Sequence, residues 1–215
     1  ANSALAAGDP DRALPDAVEV VRGWYAARGL PAMISVPYPT GRPADSTLDG
    51  QLARLGWTIR EGAATVMTAD SARVADRGGR ATMRVDVDAH PDQPWLRRYH
   101  YRGQDLPTIA IRLLTSAPWQ AFASVRADGE TIAIGRVAVS GNWAGLTAIE
   151  VDPASRRQGL GAAVTAVLAR HAAERTDASQ LYLQVADDNS AARALYQTLG
   201  FTDHHGYHYR VAPRR

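Results

Sequence analysis

Arg156-Arg157-Gln158-Gly159-Leu160-Gly161-Ala162 stands between a strand-like run, Leu146-Thr-Ala-Ile-Glu-Val-Asp-Pro153, and an unbroken helical run from Ala162 to Glu174. A glycine-rich turn that opens a helix aims several unpaired backbone N–H groups at one point, where the helix dipole is positive, and that arrangement binds phosphate. The glycines let the backbone approach a ligand closely, and Arg156 and Arg157 add charge. Two well-known phosphate loops do not fit. The loop of nucleotide hydrolases needs a Lys-Ser/Thr pair after its last glycine, where Ala162-Ala163 stand. A dinucleotide fingerprint needs a third Gly or Ala where Val164 stands, and it belongs early in a βαβ series rather than late in a chain. A plain helix start with a glycine turn is the bland alternative.

The remaining pattern is R-x-x-G-x-G/A after a V-x-P strand end, met by Val151, Pro153, Arg156, Gly159 and Gly161. Downstream comes Leu181-Tyr-Leu-Gln-Val-Ala-Asp-Asp-Asn-Ser-Ala-Ala-Arg-Ala-Leu-Tyr-Gln-Thr-Leu-Gly-Phe201. Its first five residues read as a buried strand, Asn189 as the N-cap of a helix and Gly200 as its C-terminal stop. Asn189 and Tyr196 stand seven residues apart, so a helix sends both from one face. The two motifs in this order resemble the GNAT superfamily, the N-acetyltransferases that use acetyl-coenzyme A, over about residues 80–215. The resemblance implies an α/β fold with a mixed sheet splayed by the cofactor. It implies that Arg156, Arg157, Gln158, Gly159, Leu160, Gly161 and Ala162 hold the pyrophosphate. Backbone groups of Ile149 and Val151 then hold the pantetheine and polarise the acetyl carbonyl. Asn189 and Ala192 line the pantetheine arm, and Tyr196 points its phenol at the thioester sulfur.

Composition narrows the remaining classes. A chain of 215 residues holds one large or two small domains, and its apolar fraction of 46% is ordinary for a globular protein. No apolar run approaches the ~20 residues a membrane helix needs, and there is no cysteine to form a disulfide. A cytoplasmic protein without membrane partners is expected, as monomer or homodimer. All 24 basic residues are arginine, the net charge is only +2, and the arginines are scattered. A nucleic-acid binder would carry a basic face with interleaved aromatics. The nearest approach is Trp95-Leu-Arg-Arg-Tyr-His-Tyr-Arg102, and no nucleic-acid partner is expected.

The first 70 residues read as a faded copy of the last 70. A helical run, Val20–Arg28, leads to a strand, Ala32–Val36, then a Pro/Gly-rich loop, a helix from about Ser46 to Leu55, and Leu55-Gly56-Trp57. That order matches helix, Leu181–Val185, Asn-led helix and Leu199-Gly200-Phe201. Both copies continue into short strand-like runs, Thr58–Ala69 and Thr202–Ala212. The chemistry has faded: Leu52 falls where Tyr196 stands, and Ala13-Leu-Pro15 where Gly159-Leu-Gly161 stands. Proline suits a first helical turn but removes an N–H that a phosphate needs. The expected organisation is a partial, degenerate GNAT-like half-domain over 1–70, a Gly/Arg/Asp-rich linker over 71–80, and a complete catalytic domain over 81–215. The opening Ala1-Asn2-Ser3-Ala4 resembles an internal segment of a two-GNAT-repeat branch, so roughly 80 native residues are expected ahead of it.

Within the second copy, Thr82–Val87 reads as a strand, Pro94–Arg102 and Leu106–Leu114 as helices, and Ala121–Arg126 and Thr131–Val139 as a hairpin joined by Asp128-Gly129. Trp95, Trp119 and Trp143 read as core or groove edge. The resemblance places the acceptor pocket at the segment carrying Trp95, Tyr99 and Tyr101, with Tyr207 and Tyr209 approaching the same cleft. His204, His205 and His208 form the one histidine cluster, which lacks further donors, and no metal is expected.

The reaction implied is direct attack by a neutral amine on the acetyl thioester. An alkyl ammonium has a pKa near ~10.4, so a base must take its proton. The departing thiolate, near ~8.5, makes a phenol at Tyr196 a reasonable acid. Some relatives carry a glutamate where Gln184 stands, and Gln cannot accept a proton. Glu150 is the nearest replacement in sequence, though alternation puts it opposite Ile149 and Val151. Asp187, Asp188 and a water relay are alternatives. The favoured reading is an N-acetyltransferase acting on a small-molecule or peptide amine. A mycothiol-synthase-like variant would carry a glutamate where Gly145 stands. The competing class is a non-catalytic acyl-coenzyme A sensor or regulatory module.

Overall fold

In Gln180-Leu-Tyr-Leu-Gln-Val-Ala186 every second residue is apolar, and Leu181, Leu183 and Val185 are the buried ones. That period of two makes a strand with one face on a core. Leu160–Arg175, by contrast, buries side chains almost all round, from Leu160 to Ala172, as a helix inside a layered domain does. The computed structural model describes residues 3–40, 47–78, 83–99, 106 and 108–213. The elements run β1 (Ala4–Leu5), α1 (Leu14–Ala26), β2 (Met33–Pro39), α2 (Thr47–Arg54), β3 (Thr58–Asp70), α3 (Ser71–Arg77), β4 (Val85–Asp88) and α4 (Gln93–Arg98). They continue α5 (Thr108–Leu114), β5 (Trp119–Ala127), β6 (Glu130–Ser140), β7 (Trp143–Val151), α6 (Leu160–Arg175), β8 (Gln180–Ala186), α7 (Ser190–Leu199) and β9 (Thr202–Val211). The expected loop residues Gly41–Asp45, the expected helix start Ser46, the end of the expected linker at 79–80, Thr82 of the expected strand and His100–Arg102 of the expected helix lie outside the described residues.

The chain forms two compact units. The first comprises Ala1–Val66, Val185–Asn189 and Asp203–Arg215; the second comprises Met67–Gln184 and Ser190–Thr202. This division differs from the expected 1–70, 71–80 and 81–215. Much of the expected linker is a helix: Asp70 accepts a hydrogen bond from the Arg73 N–H and caps α3, and Val74 is fully buried. Arg170 of α6 donates to the Ala75 carbonyl. Docking on α6 makes a helix of a polar stretch whose composition reads as a linker, a case of tertiary packing overriding local preference.

In the second unit, β4 to β7 form an antiparallel meander, and β8 pairs parallel with β7. The Asp128-Gly129 turn has φ of 50° and 81°, the primed geometry that matches strand twist. Trp95 is buried, donates its indole N–H to the Ala123 carbonyl and meets Phe122 edge-on, so it belongs to the core.

The first unit is built around Val18, Tyr25, Ala32, Ile34, Val36, Leu52 and Trp57. Its β2 pairs parallel with β1 and antiparallel with β9, from Met33 opposite Val211 to Pro39 opposite His205. The strand that follows α7 in sequence thus completes the sheet of the first unit, and it takes Tyr207 and Tyr209 with it to lie beside β2. Element order α1-β2-α2-β3 recurs as α6-β8-α7-β9. So does the helix end: Gly56 donates to Ala53 and Trp57 to Leu52, as Gly200 donates to Gln197 and Phe201 to Tyr196. Both glycines sit at positive φ, 80° and 100°, where other residues are strained.

Asp49 of α2 fixes β9 in the first unit. Its carboxylate accepts two bonds from Arg210, at 2.8 and 2.6 Å, and one at 2.7 Å from the His208 ring, while Arg210 also donates to the Trp57 carbonyl. All three side chains are buried. The histidines therefore do not act as one cluster: His204 and His205 meet each other, and His208 faces Asp49. Hydrogen bonds from Arg210, then from His208, hold the Asp49 carboxyl below its ordinary value against the opposing effect of burial. Such a group stabilises the fold fully above the unfolded carboxylate pKa of ~3.9, and that contribution is lost as pH falls through the lower folded value. Breaking a buried pair from one side costs about 3–5 kcal/mol. Asp49→Asn should lower unfolding stability by about that much in urea titrations at neutral pH. The variant should also lose the part of the acid sensitivity below about pH 4 that Asp49 contributes.

Candidate functional site

β7 and β8 pair over only four residues each, Trp143–Leu146 against Gln180–Leu183. Ala148, at φ 54°, then bends β7, with a register shift on β6 between Ile134 and Arg136. Beyond the bend Thr147, Glu150 and Val151 still pair with β6, but the register with β8 has ended. A strand edge without its neighbour presents backbone donors and acceptors to any extended chain laid beside it.

The same strand leads into the glycine turn. The Asp152 N–H bonds to the Ile132 carbonyl, one carboxylate oxygen accepts from the Ala154 N–H, and the other meets Arg98 at 2.7 Å. Arg98 also donates to the Thr131 carbonyl, so the end of α4 is tied to the start of the turn. Arg157 and Gly159 take φ of 64° and 77° to swing the chain into α6. The first helical bond runs from the Ala163 N–H to the Gly159 carbonyl, and no side chain caps this end. The N–H groups of Leu160, Gly161 and Ala162 therefore precede the helical ladder at its positive end. Arg156, Arg157 and Gln158 are exposed around them. A Cβ on Gly161 would lie 3.0 Å from a methyl of Leu195 on α7, so a side chain there would require Leu195 to move. The corresponding end of α1 has Pro15 in its first turn.

Ile149 lies on the α6 side of β7, since a Cβ on Gly135 would meet it together with Val164 and Leu168. Val151 lies beside Gly161. Glu150 pairs with Ile134, whose side chain packs with Trp95 and Phe122, so it faces the other side, as alternation requires. Tyr196 is buried in the second unit, edge-on to Phe201 with ring centroids 5.7 Å apart. Burial pushes its phenol up to about 12. Ala192 shares α7 with it. Asn189 belongs to the first unit, where its N–H bonds to the Ala186 carbonyl. Asp187, also in the first unit, accepts a 2.7 Å bond from Thr65 and its N–H bonds to the Ala63 carbonyl. That anchoring makes it a holder of β3.

Two residues of the α4–α5 face, Arg136 and Tyr182, escape a motif-based reading. Arg136 of β6 is only 9% exposed; it donates to the Leu114 carbonyl at 2.8 Å, to Gln120 at 3.2 Å and to Thr147 at 3.5 Å. Burial lowers its pKa, opposed by the nearby phenols Tyr182 and Tyr99. Tyr182 of β8 lies over Gly145, where a Cβ would come within 2.6 Å of its hydroxyl. A glutamate at 145 would displace that ring. The one sequence signal for Arg136 is a lone arginine in the apolar run Thr131–Val139.

Residues 1–210 match the family model described as "Probable histone acetyltransferase Rv0428c C-terminal". A Bacillus subtilis (strain 168) protein described as "Uncharacterized N-acetyltransferase YobR" is 33% identical over 94 residues, 44% of this chain and 38% of that protein. The chain therefore spans well under half of that relative's length. Among solved structures, a tandem GNAT protein from the clavulanic acid biosynthesis pathway superposes with a TM-score of 0.75 at 16% identity, over 94% of this chain and 70% of that one. A GCN5-related N-acetyltransferase from Kribbella flavida gives 0.71 at 20% identity, over 96% and 77%. At these identities the likeness is one of fold, that of a mixed α/β sheet. The fold is that of GNAT-type N-acetyltransferases, and since the family model spans almost the whole chain, this protein belongs to the acetyltransferase family of the Rv0428c C-terminal region.

Proposed function

We propose that the second unit transfers an acetyl group from acetyl-coenzyme A to a primary amine of a small molecule or peptide. The observation that carries this reading is the stretch of β7 past the end of its ladder with β8, which runs directly into an uncapped helix end with exposed arginines. The N–H groups of Leu160, Gly161 and Ala162 would take the pyrophosphate, with Arg156 and Arg157 adding charge. The edge of Ile149–Val151 would take the amide-bearing pantetheine as a further strand does.

In the reaction the amine nitrogen attacks the thioester carbon, the C–S bond breaks, and the nitrogen loses a proton while sulfur gains one. Glu150, on the side opposite Ile149, is our candidate to receive the amine proton, directly or through water. Tyr196 is our candidate for the sulfur end. With its phenol near 12 it is protonated throughout the working range. Outright transfer to a thiolate of pKa ~8.5 is uphill, so the phenol serves first as a hydrogen-bond donor to the developing charge.

Thiol release from acetyl-coenzyme A with a panel of amines tests the reading, and coenzyme binding without turnover on any amine would favour the sensor alternative. Calorimetry should find one coenzyme A per chain, because Pro15 removes an N–H from the α1 end. Gly161→Val should weaken that binding by about ten- to hundredfold, the worth of charge-assisted hydrogen bonds, through the clash with Leu195. Tyr196→Phe should leave coenzyme affinity intact and lower kcat by about 10²-fold or more. In the parent enzyme, no alkaline loss of rate attributable to this phenol should occur up to roughly pH 10, a range in which an ordinary tyrosine begins to ionise. Unchanged kcat in the phenylalanine variant would remove Tyr196 from the mechanism.

A further inference from the structure

Arg136 is the buried charge that the proposed acetyl transfer does not use. Among the described residues its hydrogen-bond acceptors are all neutral: the Leu114 carbonyl at the end of α5, the Gln120 amide oxygen and the Thr147 hydroxyl. Its electrostatic neighbours are the phenols Tyr182 and Tyr99. A guanidinium buried to this degree ordinarily faces a carboxylate, because neutral acceptors return only part of the hydration it gives up. Nε is spent on the short bond that ends α5, whereas the two terminal nitrogens hold longer contacts of 3.2 and 3.5 Å. Thr147, which takes the longest of these, is exposed and sits at the bend where β7 parts from β8. Glycine at 145 leaves room for the Tyr182 ring on the same stretch. The charge therefore stands beside the strand edge proposed for the thioester, on the side of α4 and α5.

We infer that Arg136 is a specificity-determining residue that binds a carboxylate on the amine acceptor, so that the substrate class is amino acids or peptides bearing a free carboxylate near the reacting nitrogen. This rests on the acetyltransferase reading given above. A planar guanidinium pairs with a carboxylate through two parallel bonds, and the acceptor's carboxylate would replace Gln120 and Thr147 at the terminal nitrogens. One cation matches one negative charge, which fits a carboxylate better than a phosphate dianion.

The test uses binding, so that it does not depend on turnover. The protein, with and without coenzyme A, is titrated calorimetrically with N-acetylated amino acids and with their C-terminal amides. Acids should bind more tightly than the matching amides by about ten- to hundredfold, the worth of a charge-assisted hydrogen bond. Arg136→Gln should erase that ratio while coenzyme affinity stays unchanged, and Arg136→Lys should keep part of it. If Arg136→Gln does not fold, the lysine variant together with Thr147→Val decides: an unaltered acid-to-amide ratio in both overturns the inference. Equal binding of acids and amides to the parent protein, or no binding of either, also overturns it. Failure of the acetyltransferase reading is read separately, as loss of thiol release from acetyl-coenzyme A.

Discussion

The early end of pairing between β7 and β8 is the constraint on which the second unit turns. A parallel pair closes a ladder with every residue it adds, and here the ladder stops after Leu146 and Leu183. Ala148 at positive φ bends β7 at that point, a backbone state costly for a residue other than glycine. The strain is local, and past it β7 keeps its ladder with β6 while its register with β8 has ended. The nearby turn, the left-handed Gly159 and the uncapped α6 extend the same incompleteness around a corner. The proposed coenzyme, with amides at one end and phosphates at the other, would meet its complement along this path.

Much of this was legible in the sequence because it depends on local backbone chemistry. Gly159 and Gly161, the strand ahead of them and the helix behind them stand together within a short stretch, so the strand-turn-helix that carries the proposed phosphate loop can be read there. Gly200 was likewise readable as a helix stop and Gly56 as its counterpart in Leu55-Gly56-Trp57, and both take positive φ. What was not legible depends on distant partners. Ser71–Arg77 has a linker's composition and becomes a helix only because α6 offers it a surface. The three acceptors of Arg136 come from three separate elements or their ends, and nothing near position 136 announces them. His208 looks like a member of a histidine cluster until Asp49, 159 residues away, claims it.

The buried carboxylate of Asp49 illustrates a different balance. Burying three ionisable side chains costs desolvation, and well-packed apolar residues would stabilise as much or more. What the charges add is register. Arg210 meets both oxygens of Asp49 and the carbonyl of Trp57, so β9 cannot slip by one residue without losing all of these bonds. The side chains along Asp203–Val211 are mostly polar, and apolar alternation alone would fix that strand weakly.

The placement of β9 also sets an order of assembly. Proteins emerge from the ribosome amino end first, and domains ordinarily close in that sequence. Here the first 66 residues emerge without the strand that completes their sheet, since the bonds from Arg210 to Asp49 span 161 positions. The second unit, whose meander and α6 come from one continuous stretch, has most of its partners in hand long before. The unit made first therefore closes last, and until it does it exposes the flank of β2 and the core side of Ile34 and Val36. Closure of that sheet waits on synthesis through Val211.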